Sequence, residues 1–152
     1  MSIQILPRLW IATDISTVKN KDFFMINNIK YVINLTYDIP NYFRNITYFN
    51  VPFSGDNVIE SEMPMSMEQL FDVINKFISQ GYNYGIGILI HDKTGKLSAL
   101  FAMGFLIGKL KISFKDANDY LSIHGLKNIN NISNNQYLKN YEKKIINGYC
   151  SI

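Results

Sequence analysis

A chain of 152 residues, 47% hydrophobic and 18% charged, has the size and make-up of one folded domain with its own core, which excludes disordered and fibrous classes. Fifteen basic against twelve acidic residues leave a net charge of +3, too little without a clustered patch to argue for a nucleic-acid partner. No apolar run reaches the roughly 18 residues of a membrane span, and the N-terminus lacks a basic segment leading into an apolar one.

The one cysteine, Cys150, permits neither a disulfide framework nor a cysteine-based metal site. The expectation is a single cytoplasmic domain over residues 1–152, with no membrane, nucleic acid, metal or cofactor. Asn, Ile, Lys and Tyr make up 64 of the 152 residues, the skew of an AT-rich coding sequence as in some viruses and parasites. Arg8 and Arg44 are the only arginines. Planar, bidentate recognition of phosphate needs guanidinium, and lysine replaces it poorly, so a phosphate site requires an arginine in the right place.

In chain order, residues 3–12 (IQILPRLWIA) predict a strand pair with Pro7 at the turn. Ser16 or Thr17 is expected to cap a helix running on through residues 20–28. Tyr31–Leu35 and Ile46–Val51 read as strands, and residues 85–90 (GIGILI) as a short strand buried on both faces. Ser66 and Gln69 form a capping box before a helix with Leu70, Phe71, Ile74, Phe77 and Ile78 on one face and Gly81 closing it. Residues 97–110 are apolar all round, which in this setting means a central helix packed on several sides. Ser113 and Asp116 open the next helix, and Ser133 or Asn134 is expected to cap a last one with Tyr137, Leu138, Tyr141 and Ile145 inward. Strand, loop and buried helix over positions 86–108 make an α/β pattern whose loop sits where such folds bind ligands.

That loop reads His91-Asp92-Lys93-Thr94-Gly95-Lys96-Leu97-Ser98. A strand feeding a glycine-containing loop into a helix N-terminus converges backbone N–H groups and the helix dipole on one point, an anion nest. A plain polar strand-to-helix turn is the alternative. Locally, Asp92 through Ser98 resembles the phosphorylation motif of P-type ion pumps and their haloacid-dehalogenase-like relatives, a resemblance that implies Asp92 as a nucleophile.

Over nearly its whole length the chain resembles the dual-specificity protein phosphatases. Residues 5–12 resemble that family's opening strand pair, residues 20–24 with 29–36 its first helix and following strand, and residues 48–57 the strand and loop that carry the general acid, which places Asp56 at that position. Residues 70–78 match the helix before the signature strand, and residues 131–145 look like the closing helix. The resemblance implies an α/β fold with a central, mixed, mostly parallel sheet flanked by helices.

In the resembled family the loop reads His-Cys, five residues, then Arg-Ser. Here His91 and Gly95 match, but Asp92 stands for the nucleophilic cysteine, Ser98 for the phosphate-clamping arginine and Ala99 for the hydroxyl residue that assists the leaving thiolate. Of the working groups only the acid, Asp56, remains. At about 4 Å and an effective dielectric near 20, each unit charge pair repels by about 4 kcal/mol, so a phosphate dianion meets about 8 beside Asp92. The reading is a catalytically inactive relative that works by binding protein partners, a second copy of the chain among them. Three further expectations follow: the Asp92 carboxylate fills the nest with Lys93 or Lys96 nearby, His91 is a buried hydrogen-bond partner, and His124 is a helix-end residue. Met63, Met65 and Met67 serve either as an adaptable contact surface or as packing at the helix start. An enzyme using Asp92 as nucleophile, or a phosphoprotein-binding module, are the alternatives.

Overall fold

The computed structural model describes residues 2–126 and 132–150. Five strands form one sheet: β1 (Ser2–Leu6), β2 (Leu9–Ala12), β3 (Ile29–Asn34), β4 (Thr47–Asn50) and β5 (Gly87–His91). Their order is β1-β2-β5-β3-β4, with β1 antiparallel to β2 and every other pairing parallel. β5 lies at the centre and all five of its residues are buried, which explains why its sequence is a continuous apolar run rather than an alternation.

The helices divide between the two faces. On one side, the short helices α1 (Ile15–Val18) and α2 (Lys21–Ile26) cover Ala12, Val32 and Leu89 with Val18 and Phe24. On the other side lie α3 (Met67–Asn83), α4 (Lys96–Gly108), α5 (Phe114–Ile123) and α6 (Ile132–Cys150). There Ile11, Ile33, Ile88 and Ile90 of the sheet meet Phe71, Ile74 and Ile78 of α3 and Phe101, Leu106 and Ile107 of α4. Leu97 through Gly108 are all buried, because α4 packs on the sheet, α3, α5 and α6 together. Gly104 lets α3 come this close: a Cβ there would lie 2.5 Å from the Phe71 ring.

Several boundaries differ from the sequence reading for local reasons. The expected helix through residues 16–28 is two helices. Asp14, not Ser16 or Thr17, caps the first by accepting from Thr17 N (3.0 Å), and Asn20 opens the second by accepting from Phe23 N (3.1 Å). α3 carries the expected capping box but runs past Gly81 to Asn83. Gly81 is a packing position, where a Cβ would meet Ile88 at 2.7 Å. Ser113 caps α5 as expected, through Asp116 N at 3.1 Å. Ser133 and Asn134 both lie inside α6, which begins at Ile132, so neither caps it. The part of the closing-helix resemblance that falls on Asn131 lies outside the described residues. Met67 is buried, and Met63 and Met65 pack against the same core, so these methionines serve the start of α3. Among the described residues no helix is long and apolar enough to cross a membrane.

Candidate functional site

Three parallel strands end on the same side of the sheet, and the segments that leave them build one cleft. Leu35–Tyr37 follow β3, Phe53–Asp56 follow β4, and Asp92, Lys93 and Leu97 follow β5. The cleft is about 270 Å³ including its open mouth. Its position at the carboxyl ends of the strands is where open α/β sheets bind ligands.

The loop from Asp92 to Gly95 turns sharply into α4. Gly95 takes φ +87°, a left-handed conformation that L side chains adopt with strain, and a Cβ there would lie 2.8 Å from Thr13 Cγ2. This turn points the first N–H groups of α4 back at the end of β5. They meet the Asp92 side chain. Its Oδ1 accepts from Gly95 N (2.9 Å) and Ser98 N (3.4 Å), its Oδ2 from Leu97 N (3.1 Å), and Ser98 Oγ donates to Oδ1 at 2.7 Å. Asp92 is only 4% exposed and Ser98 is fully enclosed. The nest is therefore filled by the chain's own carboxylate, as the loop sequence predicted.

Lys93 does not bond to the Asp92 carboxylate. Lys93 turns outward to Asp38, with which it forms an ion pair, and lies 5.1 Å from the Tyr37 ring centroid. Its hydrogen bond with Asp38 holds the ammonium above the ordinary lysine value. Lys96 is the first residue of α4 and half-buried.

Asp56 does reach the site. Thr94 Oγ1 donates to Asp56 Oδ1 at 2.8 Å and lies 3.4 Å from Asp92 Oδ2, so one hydroxyl links the acid loop to the nest. Asn134, which sequence reasoning assigned to a helix cap, instead fixes the acid loop from behind. Its Nδ2 donates to the Asp56 carbonyl (2.7 Å), and its Oδ1 accepts from Val58 N (3.1 Å). No local signal in the sequence could have found this contact, which spans 78 residues between Asn134 and Asp56. Ala99 is buried in α4, where its N–H bonds the Gly95 carbonyl at 2.9 Å.

His91 departs from expectation. It is 1% exposed, yet neither ring nitrogen has a hydrogen-bond partner among the described residues. In register it stands between Ala12 of β2 and Asn34 of β3. The Asn34 amide is committed elsewhere, donating to the Ile39 carbonyl (2.8 Å) and Asn41 Oδ1 (3.0 Å) and accepting from Thr36. Burial alone pushes the imidazole down to about 4 from its ordinary 6.5, so it is neutral at pH 7. His124 ends α5 as expected, with Nδ1 2.8 Å from the Tyr120 carbonyl oxygen. Among the described residues no group of three or more His, Cys, Asp or Glu side chains is arranged to hold a metal ion.

The family profile described as "Dual specificity phosphatase, catalytic domain" matches residues 9–144, spanning strands β2 to β5, the loop, helices α1 to α5 and the first part of α6. The chain belongs to the dual specificity phosphatase family. Human dual specificity protein phosphatase 7 is 28% identical over 123 residues, which cover 78% of this chain but 28% of that protein. The chain thus spans under a third of the length of that curated relative. Among solved structures, a mouse putative dual specificity phosphatase complexed with zinc tungstate superposes with a TM-score of 0.82 at 14% identity, covering 97% of this chain and 90% of that one. The human tyrosine phosphatase-like serine/threonine/tyrosine-interacting protein superposes with a TM-score of 0.81 at 20% identity, covering 95% and 97%. At these identities the two structures establish a shared fold. The mixed, mostly parallel sheet with helices on both faces is that of a dual specificity phosphatase domain.

Proposed function

We propose that this chain is a pseudophosphatase, a dual specificity phosphatase domain that acts by binding protein partners as a scaffold, decoy or structural component without hydrolysing phosphate esters. The observation that carries this reading is the Asp92 carboxylate, which stands at the nucleophile's place in the family's loop and is turned inward onto Gly95, Leu97 and Ser98. The family's reaction needs a thiolate to attack phosphorus, a guanidinium to hold the equatorial oxygens and an acid to protonate the leaving oxygen. Here the first is a carboxylate, the second is Ser98, and the acid alone is kept as Asp56. Losing a nucleophile typically costs on the order of 10⁴ to 10⁶ in turnover.

The rival chemistry is an acyl-phosphate at Asp92, as in haloacid-dehalogenase-like enzymes. It needs a carboxylate oxygen presented outward and cationic help beside it. Both Asp92 oxygens are engaged by loop donors, and Lys93 is turned to Asp38. The partner in our reading is a protein, a second copy of this chain among the candidates, met in the cytoplasm. That the human structural relative is a tyrosine phosphatase-like, serine/threonine/tyrosine-interacting protein fits a use of this fold for binding.

The test is an assay of the purified full chain against an aryl phosphate and phosphopeptides, with and without magnesium. The expected result is no release of phosphate above buffer, with affinity purification from the native source recovering a protein partner. Turnover that disappears in Asp92→Asn would overturn the reading in favour of the acyl-phosphate enzyme.

A further inference from the structure

The Asp92 carboxylate is held as a bound oxyanion would be. It sits at the end of the central strand, at the focus of the first N–H groups of a 13-residue helix, and takes three backbone donors and one hydroxyl. It is 4% exposed, so these bonds lie out of water and are charge-assisted. The arrangement also reaches the acid loop. Thr94 Oγ1 draws Asp56 against the nest, and Asn134 holds the Asp56 carbonyl and the Val58 N–H from the other side. Loop, acid loop and α6 are thereby joined in one bonded set.

We infer that Asp92 is a resident pseudo-ligand: it permanently occupies the phosphate position, with Thr94 tying the acid loop beside it, so the protein's partner is recognised without reading a phosphate. This rests on the pseudophosphatase reading and narrows it. An incoming phosphoryl group would have to displace a covalently attached rival whose effective concentration at the nest is fixed by the chain itself, and meet the negative charge of Asp56 at the mouth. Lys93, which lines the same cleft, is engaged by Asp38 and Tyr37.

The experiment uses the full chain with sodium tungstate and inorganic phosphate as probes, read by thermal unfolding and by the backbone amide signals of Gly95, Leu97 and Ser98. In the wild type the unfolding temperature and the three amide signals should not move with millimolar tungstate or phosphate, and the three amides should exchange slowly with solvent. In Asp92→Ala the unfolding temperature should drop and then climb with added tungstate in a saturable way, as a ligand that binds only the folded form requires. Asp92→Ser, which keeps a polar group at the strand end, serves if the alanine variant does not fold. A wild type whose loop amides shift with either anion, or exchange as fast as exposed amides, overturns the inference. Folded Asp92→Ala and Asp92→Ser proteins that take up neither anion overturn it equally. Anion binding by the wild type without turnover would sink this inference and leave the pseudophosphatase reading standing, whereas turnover would sink that reading.

Discussion

Ser98 Oγ lies 2.7 Å from Asp92 Oδ1, so the two residues that the proposed reading sets at the family's clamp and nucleophile positions are bonded directly to each other. On that reading the two departures form a pair. A carboxylate filling the nest needs a donor from the helix, and serine is short enough to supply one from a fully buried site where the family's arginine would have reached toward a ligand.

Replacing Ser98 by alanine removes that donor and leaves Asp92 Oδ1 with backbone partners alone. A hydrogen bond to a charged, buried group contributes about 1.5–3 kcal/mol, so Ser98→Ala should lower stability by an amount in that range. Urea unfolding at neutral pH checks this. No change in midpoint would show that the pair does not hold the loop.

His91 makes stability depend on acid. Its folded value is lowered to about 4 from 6.5, so between these pH values the unfolded chain binds more protons and stability falls as pH falls. The contribution is fully present above pH 6.5 and gone below about 4, and the span of the shift corresponds to about 3 kcal/mol. His91→Leu carries no proton to gain and leaves no ring nitrogen unbonded. The difference in stability between the two proteins should grow in the variant's favour from pH 7 to pH 4.5, measured by denaturant unfolding. Parallel curves would refute the assignment.

Gly104→Ala sets two effects against each other. In mid-helix, alanine is favoured by about 1 kcal/mol, but its Cβ would come within 2.5 Å of the ring of Phe71, which is fully buried. Overpacking of this kind costs about 1–3 kcal/mol, so a net loss of about 1 kcal/mol is expected. A variant more stable than the parent would show that α3 and α4 can separate freely.

Asn134→Ala should loosen the acid loop without touching the nest. It deletes a donor to the Asp56 carbonyl and an acceptor for the buried Val58 N–H, a loss of about 1–3 kcal/mol by the cost of leaving buried polar groups unpaired. Hydrogen exchange at Val58 should speed by about tenfold or more, while exchange at Gly95 and Leu97 stays slow. Equal acceleration at all three amides would mean that the loops open together.

On the pseudophosphatase reading, the double variant Asp92→Cys with Ser98→Arg supplies the thiol and the guanidinium, leaves Ala99 unchanged and empties the nest. Aryl phosphate turnover should rise above that of the parent chain and fall by about a hundredfold or more when Asp56 is also replaced by asparagine, the usual contribution of a general acid. A folded double variant with no turnover would show that Asp56 does not stand where a leaving group needs its proton.

Much of this was legible along the chain. The capping box at Ser66 and Gln69, the cap at Ser113, the all-apolar run of α4 and the buried run of β5 are local patterns whose physics is complete within a few residues. The split of the first helix was missed because Asp14 and Asn20 compete with Ser16 and Thr17 as caps, and such choices differ by only a few tenths of a kcal/mol until packing decides.

The sequence by itself determined which groups stand at the loop, Asp92 and Ser98 among them, because identity and spacing need no coordinates. Only the tertiary structure decided what those groups do. That the carboxylate turns inward depends on the left-handed turn at Gly95, that Lys93 leaves it depends on Asp38, and that Asn134 secures the acid loop depends on α6 crossing behind residues 56–58. The first is settled within one loop, whereas the last two join segments far apart in the chain, where a hydrogen bond's partner is chosen by which polar groups the packed core brings within about 3 Å.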